Sequence, residues 1–240
     1  MQAIGINPQS KRDLIDTLDI PRSTLDDIIR ELEQKNLIKY QEGKWKTTVF
    51  GRCIFNIHDN YINNIDNMIN TQPVIQELPF NTPVDRCFLL DSEVFPASSS
   101  VPDEVVQVLL ESIEPASRIQ YFTPVVMAGY LEEFYKYLMK NGHQVEVIFS
   151  YDVLSEVYDL YPNRVDNIFA NKEITIYQGE MPVEFSLWIA DEQQTGIMVY
   201  TDYGIRGAVK NNTNDAIMWA AELFNRIKYN AEPVYPADSK

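Results

Sequence analysis

Two histidines, His58 and His143, and two cysteines, Cys53 and Cys87, are the whole stock of imidazole and thiol in 240 residues. A Ser-His-Asp hydrolase needs an imidazole base beside its serine, and a zinc site needs several N or S ligands at close spacing. There is no CxxC, no P-loop and no GxGxxG. His58 falls in a helical seam described below, and His143, after Gly142, reads as a surface turn residue. The cysteines read as two reduced thiols. Carboxylates are plentiful, but no spacing singles out a pair for acid–base work. Catalysis, a bound metal and a cofactor are therefore not expected.

Another set of residues has both the types and the spacing to meet phosphate and base edges. Arg22-Ser23-Thr24 opens a segment whose apolar positions, Leu25, Ile28, Ile29 and Leu32, recur at helical spacing. Arg22, Ser23, Thr24, Asp27 and Arg30 lie largely off that stripe. Upstream, Ser10-Lys11-Arg12-Asp13 is a capping pattern ahead of the stripe Leu14, Ile15 and Leu18. Asp19-Ile20-Pro21 ends that first helix and starts the second. Downstream, Leu37 to Tyr40 reads as a strand, Gln41-Glu42-Gly43 as a turn and Lys44 to Thr47 as the returning strand.

Helix, tight turn, helix and basic hairpin, in that order, make a winged helix-turn-helix. In such a unit the start of the second helix meets base edges, and the wing meets phosphate or the minor groove. The candidate DNA contacts are Lys11, Arg12, Arg22, Ser23, Thr24, Arg30, Lys44 and Lys46. Asp26 and Asp27, in the same helix, oppose phosphate, although an acid can accept from cytosine N4. A plain helical packing module is the alternative for this segment.

Charge divides the chain in the same place. The net is −15, yet residues 1–55 sum to +1 and the remainder to −16. A near-neutral head on a strongly acidic body implies two parts with different work. Sparse lysine and dense carboxylate in the body suit a salt-loving host; an ordinary acidic protein is the alternative. No apolar run reaches the ~18 residues of a membrane span. Met1 to Ser10 lacks a signal-peptide pattern, so a cytoplasmic location is expected.

Gly51 to Thr71 contains no helix breaker. Ile54, Tyr61, Ile65 and Met68 step by seven, four and three, with His58 in the missing place, and Phe55, Ile62 and Ile69 flank them. This predicts a connecting helix that pairs two copies of the chain, or one packed on its own body. The expected division is 1–51 for the DNA-binding head, 52–72 for the helix and 73–240 for the body.

From Val84 onward strand and helix patterns alternate. Strands are expected at Arg86 to Leu90, Ile119 to Phe122, Val145 to Phe149 and Ile174 to Tyr177, with Phe185 to Ala190 and Gly196 to Tyr200 as a hairpin and a short strand at Gly207 to Val209. Helices are expected at Pro102 to Ser112, Val126 to Lys140, Val153 to Asn171 (interrupted at Pro162) and Thr213 to Asn230. Alternation of this kind predicts a three-layer α/β body with a mostly parallel sheet. Ligands of such sheets bind outside the carboxyl ends of the strands. Thr123, Tyr151, Tyr200, Asp202 and Tyr203 lie there and favour a small neutral or cationic ligand over a phosphate. Trp219 lies on the inner face of the last helix with Ala216, Ala220 and Leu223.

Several stretches carry a family resemblance over nearly the whole chain. Ser10-Lys11-Arg12-Asp13-Leu14, Arg22-Ser23-Thr24-Leu25, Glu31-Leu32-Glu33, Leu37-Ile38 and Thr47 through Gly51 resemble the winged-helix heads of haloarchaeal transcriptional regulators. Val74 to Pro79, Asp91-Ser92-Glu93-Val94, Tyr161-Pro162, Tyr203 through Gly207 and Asn214-Asp215-Ala216 through Trp219-Ala220 resemble their sensor domain, which is related to the middle domain of methanogenesis regulatory proteins. The family head opens with a full helix. Here Met1 to Gln9, with Asn7-Pro8, leaves room for one turn at most, so that helix is expected to be truncated. The body also loosely resembles half of a phospholipase D-like unit. That chemistry needs a histidine nucleophile, and no histidine lies between Gln144 and Lys240. The resemblance implies a dimeric regulator that binds double-stranded DNA and senses a small molecule. A protein-interaction module with a vestigial head is the alternative.

Overall fold

The computed structural model describes residues 4, 7–98, 104–125, 130, 134, 136–137, 142–160, 168, 171–202 and 204–235. The chain divides into two compact units, Met1–Asp66 and Asn67–Lys240.

In the first unit, helix α1 spans Lys11–Leu18. The Ser10 hydroxyl accepts from the Asp13 amide, and the Asp13 carboxylate accepts from the Ser10 amide at 3.0 Å, a reciprocal cap. Asp19 ends the helix in the left-handed region (φ 49°), and helix α2, Arg22–Gln34, follows Pro21. Strands β1, Ile38–Gln41, and β2, Lys44–Thr47, pair antiparallel across Glu42-Gly43. Both of those residues have positive φ (53° and 79°), the twist a two-residue hairpin loop requires. Ile4, Leu14, Leu25, Ile29 and Ile38 form the small core. Ile28 is largely exposed, so the buried stripe of α2 is narrower than its spacing predicts.

Helix α3 runs Val49–Ile75, longer at both ends than the expected Gly51 to Thr71, with Pro73 inside its last turn. Val49 to Asp66 belongs to the first unit and Asn67 onward to the second. Gly51 lies against the chain leading into β1: a Cβ there would be 1.9 Å from the Leu37 carbonyl oxygen. Only glycine lets the start of α3 approach so closely.

The second unit is built on an eight-stranded sheet in the order β10-β6-β5-β4-β7-β8-β9-β3. The strands are β3 Glu93–Pro96, β4 Arg118–Thr123, β5 Gln144–Ser150, β6 Ile174–Gly179, β7 Phe185–Ala190, β8 Gln194–Thr201, β9 Gly204–Asn211 and β10 Glu232–Pro233. The described helices are α4 Arg86–Leu89, α5 Glu104–Ile113, α6 Tyr151–Leu160 and α7 Asn214–Tyr229.

The expectation of a mostly parallel sheet is wrong. Among the described residues only β4–β5 and β5–β6 pair parallel, and the other five pairings are antiparallel. The reason lies in the connections. A parallel pair needs a crossover of a dozen residues or more. Only 124–143 and 151–173 are long enough between neighbouring strands, whereas β7, β8 and β9 follow one another through tight turns. The sheet is mixed.

Three local expectations also change. Arg86 to Leu90 is not a strand. The Asp85 carboxylate accepts from the Cys87 amide and caps a helical turn. Phe88 and Leu89, adjacent in sequence, are both buried, which alternation in a half-exposed strand would not allow. The strand expected at Gly207 to Val209 extends over Gly204–Asn211, with β8 on one side and β3 on the other. His143 is not a surface turn residue: it is buried, and its Nδ1 hydrogen-bonds the Ala116 carbonyl. The helix expected over 126–140, the continuation of the 153–171 helix past 160 and any helix before Gln9 lie mainly outside the described residues.

The faces of the central strands alternate. Trp188 and Ala190 pack with Leu109, Ile113 and Leu154, from α5 and α6. Phe185, Leu187 and Ile189 pack with Phe88, Ala220 and Phe224, from α4 and α7. All of β7 is therefore buried, the pattern of a strand covered on both faces. Trp219 is half-buried, its ring 4.7 Å from that of Phe88.

Candidate functional site

The head places the expected DNA-contact residues on three elements. Lys11 and Arg12 open α1, Arg22, Ser23 and Thr24 form the first turn of α2, and Lys44 and Lys46 lie on β2. Arg12, Arg22, Ser23, Thr24, Arg30 and Lys44 are exposed. Asp26 and Asp27, two of the four acids of α2, each hold a cation. Lys11 is ion-paired with Asp26, and Arg30 lies 3.1 Å from Asp27. Arg12 is 4.0 Å from Asp16, and Lys46 is 2.9 Å from Glu42. Such exposed pairs hold their partners weakly, and a phosphate competes for the same cations. Among the described residues no acid pairs with Arg22 or Lys44. Arg22 lies exposed at the start of α2.

In the body, the structure joins two of the expected ligand residues through a third that sequence reasoning missed. Ser186, on β7, donates to the Thr123 hydroxyl at 2.7 Å and lies 2.6 Å from the Tyr200 hydroxyl. Thr123 spends its own proton on the Val125 carbonyl at 2.8 Å. Each hydroxyl has one proton, so Tyr200 is the donor to Ser186. The Tyr121 hydroxyl joins the same group, and burial raises both phenols, Tyr200 the further because Tyr121 stands beside it. They remain neutral, and the group works as a chain of donors and acceptors.

Tyr121 and Thr123 of this group also line a narrow cavity of about 50 Å³, with Val106, Leu109 and Leu110 of α5 and with Phe149, Val153 and Val157. Its wall is mostly carbon. Tyr151, at the start of α6, is about half exposed and Asp202 is exposed; neither lines this cavity. Tyr203 lies outside the described residues. Ser186 carries a signal only in register. It is the one hydroxyl in a strand of apolar residues, two positions from Trp188 on the same face, and Trp188 pairs with Tyr121.

Among the described residues no group of His, Cys, Asp and Glu could hold a metal ion. No helix among them is long and apolar enough to cross a membrane.

Residues 102–230, more than half of the chain, match the family model described as the methanogenesis regulatory protein FilR1, middle domain. No curated protein matches. Among solved structures, TrmBL2, described as an archaeal chromatin protein with a novel mode of DNA binding, is 12% identical; the alignment covers 97% of this chain and 91% of that one, with a TM-score of 0.47. NucT from Helicobacter pylori is 8% identical over 60% of this chain and 99% of its own, with a TM-score of 0.48. Nuc, a phospholipase D family member from Salmonella typhimurium, is 15% identical over 60% of this chain and 99% of its own, with a TM-score of 0.44.

Proposed function

The chain belongs to the FilR1 middle-domain family of regulatory proteins, and from that premise we propose that it is a transcription regulator whose head reads double-stranded DNA and whose body senses a small molecule. The observation that carries the DNA part is Arg22-Ser23-Thr24, exposed on the first turn of α2 in the same small unit as a lysine-bearing hairpin. On this reading the unit is a winged helix-turn-helix. α2 enters the major groove, Arg22, Ser23 and Thr24 meet base edges, and Lys11, Arg12, Arg30, Lys44 and Lys46 meet the backbone.

The working division is a head over 1–51, a dimerisation helix over 52–72 and a three-layer sensor body over 73–240. Exposed apolar side chains support the dimer: Ile54, Tyr61, Ile65 and Met68 follow the heptad seam of α3 and each is at least about a third exposed. On this reading a small neutral or cationic effector is sensed beside the hydroxyls of Thr123, Ser186 and Tyr200. The role is regulatory rather than catalytic, in the cytoplasm of a salt-adapted archaeon. Counter-ion release fades as salt rises, so binding there rests on base contacts and shape. That fits a head of near-zero charge.

The ion pairs of Asp26 and Asp27 favour a second reading, in which the head contacts a protein instead. Selection of bound sequences from a random duplex pool, at low and at molar KCl, separates the two. The proposal expects a defined site with two half-sites about one helical turn apart. A pool that shows no enrichment under either condition, with the protein folded, would remove the DNA-reading part.

A further inference from the structure

Lys39 on β1 stands directly across from Lys46 on β2, so both side chains leave the same face of the hairpin. The opposite face holds the apolar partners, buried Ile38 and the rings of Tyr40 and Trp45, 4.9 Å apart. Like charges in directly opposed positions weaken an antiparallel pair. Here they are joined by a third cation, Arg52, one turn into α3, around a concavity of about 390 Å³. Ile4, Pro8, Gln41, Thr47, Thr48 and Val49 complete its wall, and Val49 opens α3, where the helix dipole adds positive potential.

The charged lining of this concavity is three cations and no carboxylate among the described residues. The carboxylate of Glu42 reaches Lys46 from the hairpin loop, as an exposed pair that a stronger anion displaces. Elsewhere the chain is strongly acidic, so three cations gathered round one hollow stand out against a net charge of −15. Two ammonium groups and a guanidinium fork around one hollow suit an oxyanion of high charge such as phosphate.

We infer that this hollow, between the base of the hairpin and the start of α3, is a phosphate-binding site in which Lys39 and Arg52 are the principal contacts. The inference builds on the DNA-reading proposal for one source of the phosphate, the duplex backbone beside the bases read by α2. The other source is a phosphate group free in solution.

The test uses the full chain, a Lys39→Gln/Arg52→Gln variant and a charge-keeping Lys39→Arg/Arg52→Lys control, with melting curves to confirm folding. Fluorescence anisotropy follows a preferred and a scrambled duplex over a KCl series. The melting shift caused by inorganic phosphate, against chloride at matched ionic strength, is measured in parallel. If the backbone is the source, the Gln variant weakens binding to both duplexes by the same factor, and its slope of log affinity on log salt falls by about one per lost contact. If a free phosphate is the source, duplex binding is unchanged, but stabilisation by phosphate is lost in the Gln variant and kept in the control. If neither quantity moves, the site is wrong. Arg22→Ala, run beside them, reports separately on base reading, so either idea can fall while the other stands.

Discussion

Gly196 stands directly across from Trp188 in the β7–β8 ladder, and the indole fills the space a side chain at 196 would need. A Cβ there would lie 2.1 Å from Cζ2 of the ring. Trp188 is fully buried between β7 and the α5 side of the core, so it has nowhere to retreat. Gly196→Ala should therefore destabilise the body by ~1–3 kcal/mol, the usual cost of overpacking. Urea unfolding followed by tryptophan fluorescence measures this, and an unchanged midpoint would show that the ring moves freely.

Glu146 and Lys228 make the second prediction, one of pH. Burial works to raise the Glu146 carboxyl, but hydrogen bonds from Lys228 and Gln120 and the charges of Lys228 and Arg118 outweigh it and hold the group below the usual carboxylate range. Burial works to lower Lys228, and its bonds to Glu146 and Tyr177 outweigh that, so the ammonium is held above its usual value. A depressed carboxyl stabilises the fold above its unfolded value and loses that contribution as pH falls through the folded one. A raised amine stabilises below its unfolded value and loses it as pH rises through the folded one. Lys228→Met should flatten the stability profile below about pH 4.5 and above about pH 10.5. Parallel profiles for the two proteins across both windows would contradict the coupling.

Thiol reactivity gives the third. Burial, then the hydrogen bond and charge of Asp85, push the Cys87 thiol up to about 11, while Cys53 is exposed on α3. At pH 8 only about one Cys87 in a thousand is thiolate. A maleimide pulse read by mass spectrometry should label Cys53 well before Cys87, and Cys87→Ser should leave the fast phase intact. Equal rates at the two positions would contradict the burial of Cys87.

Much of the head was legible in sequence because its signals are local. The Ser10–Asp13 cap, the break at Asp19 and the Glu42-Gly43 loop each depend on a few adjacent residues. The body was legible as elements but not as a sheet. Strand direction is fixed by connection length and partner choice, and β7 pairs antiparallel with β4 rather than extending the parallel set beyond β6. Arg86 to Leu90 misled because a short apolar run suits strand or helix alike, and the deciding cap comes from Asp85, just outside it. His143 misled because its burial depends on Ala116, 27 residues away. Of the expected ligand residues, Thr123 and Tyr200 meet in one hydroxyl group with Ser186 and Tyr121, a contact across three strands that no linear spacing encodes.

The hydroxyl chain makes a prediction of its own. With Ser186→Ala, Tyr200 loses the Ser186 acceptor and Thr123 loses the Ser186 donor. The loss of a buried partner of this kind costs ~1–3 kcal/mol. Ser186→Ala should lower the melting temperature, and Tyr200→Phe added to it should cost less than it does alone. Additive losses would show that the three hydroxyls do not act as one chain.

Anisotropy of the full chain on its selected duplex and on a scrambled one, with and without Arg22→Ala, from low to molar KCl, tests whether α2 reads bases. If α2 reads bases, binding to the selected duplex persists at high salt. Arg22→Ala then costs it about tenfold to a hundredfold, the worth of one good base contact, and leaves the scrambled duplex nearly unaffected. If the variant binds both duplexes as the parent does, or if the parent does not distinguish them, α2 does not read DNA and the regulatory role must rest on another surface.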